Sequence, residues 1–112
     1  MKINQRDLFI VPFPFSDFSG RKVRPVIVIS NNEFNHKSED VIVCGITSNI
    51  INNMYSVIIQ NSDLEEGRLI IESAIKAENI LKINKKILIK KIGALKKEVF
   101  TEAVEKIYSI IS

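Results

Sequence analysis

The chain has one cysteine, one histidine, four glycines and no tryptophan among its 112 residues, and each shortage closes a class of function. A single cysteine, Cys44, cannot make an internal disulfide, which suits a reducing compartment. It sits in an apolar run, where a buried small hydrophobe is the expected role and a nucleophile is not. With His36 the sole histidine, in a polar connection, and no carboxylate cluster at ligand spacing, no metal centre is expected. The glycines do not form a phosphate-cradling loop, so nucleotide-triphosphate enzymes are set aside and no cofactor is expected. No apolar run approaches the roughly 20 residues that span a bilayer. The start, MKINQRDL, lacks an apolar signal core, so a cytoplasmic protein without a membrane partner is expected.

What is present describes one small folded domain over residues 1–112. Hydrophobic residues at 46% and charged residues at 26% exclude a disordered chain. A net charge of +3 and a pI near 9.1 tilt it mildly toward anionic partners. Lys82, Lys85, Lys86, Lys90, Lys91, Lys96 and Lys97 follow one another with no acidic residue between them. A solvated face is the commoner use of such a run, and a phosphate-tracking patch the sharper one.

Apolar, β-prone residues from Asp7 to Phe13 predict a strand that Pro12 and Pro14 end. Turn formers Ser16, Asp17, Ser19 and Gly20 follow, interleaved with Phe13, Phe15 and Phe18. Those phenylalanines anchor the loop on a core or dimer interface, or stack on bases. Pro25 to Ile29 and Val41 to Ile46 read as strands buried on both faces. Asn31, Asn32 and Asn35 mark a connection between them. Tyr55 to Ile59 resumes an extended pattern, Leu69 to Ile80 predicts one or two strands, and Ile87 to Ile92 is ambiguous and ended by Gly93. From Val99 to Ile111 apolar residues recur at three- and four-residue steps, predicting a terminal helix. The expected fold is mainly β, a curved sheet or small barrel closed by a C-terminal helix.

Three groups carry possible chemistry. Arg24, at the mouth of a strand, is always protonated and matches a phosphate bidentately, or else pairs with a carboxylate such as Asp7. Thr47, Ser48 and Asn49 form a short row of hydroxyl and amide donors where a strand ends, able to bind a phosphate or cap a turn. Lys76 and Glu78 stand two apart on one strand face, as a phosphate clamp with a base or as a salt bridge of little worth.

The Arg-Pro before an apolar strand, the Ile-Thr-Ser some twenty residues on, the PFPFSDFSG loop and the SAIKAEN and KKIGAL segments together resemble the PemK/MazF/Kid family of bacterial toxins. The resemblance runs over almost the whole chain and is nearest the PemK-like branch. It implies an SH3-like barrel, a homodimer and a metal-independent endoribonuclease that cuts single-stranded RNA to a cyclic phosphate and a 5′-hydroxyl. It also implies an antitoxin whose disordered tail occupies the RNA groove. In such relatives the arginine before the proline and the threonine of Ile-Thr-Ser are catalytic, which carries over to Arg24 and Thr47. An arginine and an aspartate two residues later act as acid and base, and Lys76 and Glu78 stand at those positions as departures. Where many relatives have Gly-Ser-Glu-Gln, this chain has Ser19-Gly20-Arg21-Lys22. Phe15, Arg21, Lys22, Ser48 and Asn49 become the expected RNA contacts. Two rivals accompany this reading. One is a gyrase-binding toxin like CcdB, which shares the barrel but does not need Arg24 and Thr47; the other is a family member that binds RNA or antitoxin without cutting.

Overall fold

The structure, a computed structural model, describes residues 2–12, 23–51 and 53–112. Seven strands, β1 (Asp7–Pro12), β2 (Val23–Val28), β3 (Asp40–Thr47), β4 (Ser56–Ile59), β5 (Leu64–Gly67), β6 (Ser73–Asn84) and β7 (Lys90–Leu95), form one antiparallel sheet in the order β4-β6-β3-β2-β1-β7-β5. Helix α1 (Asn32–Lys37) links β2 to β3, and α2 (Lys97–Ile111) follows β7. The β-branched runs of β2 and β3 lie in the middle of the sheet, where both faces are covered.

Each face has its own core. On one side Phe9, Val11, Val26, Val28, Val41 and Val43 pack with Leu88. On the other, Leu8, Ile27, Cys44, Ile46 and Ile75 pack with Phe100 and Ala103 of α2. That second core also takes Val57 and Ile59 from β4 and Leu64 from β5, the two edge strands at opposite ends of the order. A flat sheet could not bring its edges into one cluster, so the sheet is curled around α2, as the barrel expectation requires.

Several local expectations change. The asparagines after β2 build α1 and do not mark a simple connection. Asn31 caps it by accepting the Phe34 N–H at 2.8 Å, and Asn35 is fully buried, donating to the Ser30 carbonyl at 2.9 Å. His36 is exposed on this helix. Strand β6 begins at Ser73, not Leu69, and runs twelve residues. Strand β5, with the sequence LEEG, has no alternation to announce it and forms by pairing with β7. Gly93 does not end a segment but lies inside β7, opposite Gly67. A Cβ on Gly93 would stand 2.6 Å from the Glu66 carbonyl oxygen, so the close approach of β5 requires glycine. Helix α2 docks through Phe100 and Ala103, with Val99 half-buried, while Val104, Ile110 and Ile111 remain exposed, so its apolar face is wider than the stripe this chain covers.

Asp7 is nearly fully buried at the start of β1, and its partner is Lys91, not Arg24. Arg24 stands opposite Val11 at the other end of the β1–β2 ladder. The Asp7 carboxylate accepts the Asn4 N–H at 2.8 Å and lies 3.3 Å from Lys91 Nζ, which also reaches Glu66 at 3.5 Å. Burial alone would lower the Lys91 pKa, but the hydrogen bond and charge of Asp7, then Glu66, outweigh it and raise it above 10.5. A cationic group with a raised folded pKa stabilises fully below its unfolded pKa and loses that contribution as pH rises through the folded value. The contribution of Lys91 should therefore be lost as pH rises above about 10.5. Denaturant titrations should show Lys91→Met lowering the midpoint at neutral pH and flattening the alkaline fall; an unchanged alkaline limb would refute the assignment.

Candidate active site

On the sheet face opposite α2 lies a cleft of about 790 Å³. Its position follows from strand register. Val26 pairs with Gly45 between β2 and β3, and the same register carried two residues further sets Arg24 across from Thr47. Thr47 in turn pairs with Ala74 on β6, and Lys76 follows two residues on, on the same face. Arg24, Thr47 and Lys76 therefore line one cleft, although they come from three strands far apart in sequence. Its walls are aliphatic, chiefly Val11, Pro25, Val26, Val43, Leu81, Ile83 and Ile87, and Lys82 adds a further cation. A charge acts more strongly beside such walls than in open water.

Thr47 caps a turn and faces the cleft at once, because its Oγ1 accepts the Asn49 N–H at 3.1 Å while its O–H stays free to donate to an anion. Ser48 and Asn49 are exposed just beyond the strand and do not line the cleft. Glu78 does not line it either. It lies 3.8 Å from Lys76 Nζ, and with the two side chains 44% and 45% exposed this ion pair has little energetic weight of its own. Phe15, Arg21 and Lys22 lie outside the described residues. Of the lysine run, Lys82 joins the cleft and Lys91 serves the fold, whereas Lys86, Lys90, Lys96 and Lys97 are exposed.

Between Lys76 and Ile80 the strand β6 bulges. Cys44 pairs with Ile80 and Ile46 with Ile75, so two steps on β3 face five on β6. The Cys44 thiol donates to the Lys76 carbonyl at 2.8 Å, and the Asn79 backbone N–H bonds to the same sulfur. Burial, and then the charge of Glu78, push the Cys44 pKa up to about 12, against the backbone N–H groups of Gly45 and Asn79. The thiol is thus a buried structural donor. Asn79, which sequence reading passed over, lines the cleft, and its amide nitrogen would be 2.3 Å from a Cβ on Gly45. The glycine inside an otherwise apolar strand was the signal available, since it marks a bulge or a close approach.

Among the described residues no three His, Cys, Asp or Glu side chains gather as a metal site would need, and no helix is long and apolar enough to cross a membrane. Fold and cleft together define a small curled-sheet protein whose guanidinium, hydroxyl and ammonium groups are arranged to hold an anion against aliphatic walls. The chain belongs to the family of PemK-like, MazF-like toxins of type II toxin–antitoxin systems, whose model it matches over residues 4–111. No curated protein matches its sequence. Its fold is similar to that of an endoribonuclease in complex with its cognate antitoxin from a mycobacterial species, at TM-score 0.81 and 16% identity, covering 97% of this chain and 94% of that one. The Mycobacterium tuberculosis toxin MazF-mt6 gives 0.76 at 21% identity, covering 95% and 96%. A MazE–MazF structure from Deinococcus radiodurans gives 0.77 at 15%, covering 100% and 97%.

The buried, protonated Cys44 should resist a thiol-reactive disulfide reagent in the folded protein at mildly alkaline pH and react promptly in guanidinium. Rapid labelling of the native state would contradict its structural role.

Proposed function

We propose that this chain is the toxin of a type II toxin–antitoxin pair and acts as a metal-independent endoribonuclease on single-stranded RNA, mRNA included, halting translation and growth. The observation that carries this reading is the convergence of Arg24 and Thr47 in one cleft, in a member of this toxin family. Cleavage by the neighbouring 2′-hydroxyl needs stabilisation of charge on phosphorus, an acceptor for the hydroxyl proton and a donor for the leaving 5′-oxygen. Arg24 holds the developing charge as a bidentate donor, and the Thr47 hydroxyl orients a phosphate oxygen. Glu78, paired with Lys76 at 3.8 Å, accepts the 2′-hydroxyl proton, and Lys76 returns one to the 5′-oxygen, leaving a 2′,3′-cyclic phosphate and a 5′-hydroxyl. Ser48 and Asn49, exposed beside Thr47, add backbone contacts along the strand.

The partners follow from the same reading. A cognate antitoxin binds this chain, as the antitoxin complexes among structurally similar toxins support, and its place in this reading is over the cleft. The chain works in the cytoplasm as a homodimer and as one domain over its full length.

Incubation of wild type, Arg24→Ala and Thr47→Ala with a long single-stranded RNA in excess EDTA, with the ends mapped, tests this. Wild type should cut at specific sites, and Arg24→Ala should cut about 10²–10³-fold more slowly at an unchanged melting temperature. Intact RNA with folded wild type, joined to inhibition of gyrase supercoiling, would replace the reading by a binding toxin.

A further inference from the structure

Asn79 is the cleft residue to which strand cleavage gives no task. Its backbone is fixed, because its N–H bonds to the Cys44 sulfur while that sulfur donates to the Lys76 carbonyl three residues earlier. Its side chain lies over Gly45, in the space a Cβ would need. Among the described residues nothing hydrogen-bonds to its carboxamide, so donor and acceptor are both available.

The other polar side chains lining the cleft are Arg24, Lys76 and Lys82, which only donate, and Thr47, whose oxygen already accepts one N–H. Asn79 is the only side-chain carbonyl among the described lining residues. A phosphate needs donors, and the cations supply them. A nucleobase edge presents donor and acceptor side by side, and a carboxamide matches that pattern in one plane. Val43, Leu81 and Ile83 supply aliphatic surface beside it for the face of the base.

We infer that Asn79 reads the base next to the phosphate held by Arg24 and Thr47, through paired hydrogen bonds to the base edge, and so sets the sequence at which the RNA is cut. This rests on the ribonuclease reading. Gly45 is the permissive element, since the three heavy atoms nearest a methyl group there all belong to the Asn79 side chain, which it would displace.

Wild type, Asn79→Ala, Asn79→Asp and Gly45→Ala are to be compared on one pool of random single-stranded RNA, with cleavage ends sequenced and kcat and KM measured on a preferred and a non-preferred oligonucleotide. In Asn79→Ala and Gly45→Ala the gap in kcat/KM between the two should narrow by about tenfold or more. Asn79→Asp should move the preference toward guanine, whose N1–H and N2–H groups both donate to a carboxylate. An unaltered preference in Asn79→Ala overturns the inference, and so does an equal fall at every sequence, which marks a phosphate-binding or structural role. Wild type that cuts nothing overturns the ribonuclease reading and this inference with it, a result distinct from cleavage with unaltered preference.

Discussion

The site depends on the register fault between β3 and β6. Were β6 paired without its extra residues, side-chain alternation would put Lys76 and Leu81 on opposite faces of the sheet. The bulge shifts the phase, so that Lys76 before it and Asn79, Leu81 and Ile83 after it all face the cleft. Two small features hold the bulge. The Cys44 sulfur takes up its backbone groups from below, and the missing side chain of Gly45 leaves room for Asn79 above.

Electrostatics divides the molecule into two regions with different purposes. At the start of β1 the nearly fully buried Asp7 carboxylate meets Lys91, and a buried charge without its partner is costly enough that this cluster serves the fold. At the far end of the same ladder, among the described residues, the carboxylates that approach the cleft ammonium groups are half-exposed Glu78, 3.8 Å from Lys76, and Asp40, 4.0 Å from Lys82. Loose, hydrated pairs of this kind contribute little to stability and separate readily for an anionic substrate. The aliphatic walls then strengthen whatever charge contact replaces them.

Strong backbone preferences were legible directly. The β-branched runs of β2 and β3 admit little but a buried strand, and the periodicity after Val99 admits little but a helix. Elements without a pattern of their own were not legible. Strand β5 owes its existence to β7 and to Gly67 opposite Gly93, and α1 to an asparagine cap and to the buried Asn35, residues that read equally well as a loop. Similarly, Asn79 looks like any exposed asparagine until Gly45 is placed beneath it.

By itself the sequence determined the fold class and, through Arg24 and Thr47 in their flanking motifs, the family and two of the residues proposed for catalysis. Those are local properties: backbone preference, periodicity and short motifs survive without knowledge of what lies across the sheet. Only the tertiary structure decided that Arg24 shares a cleft with Thr47 and lies away from Asp7, that Glu78 does not line that cleft, and that Asn79 does. Each depends on strand register, which is fixed by pairing between segments distant in the chain, and a shift of one residue would turn every side chain to the other face.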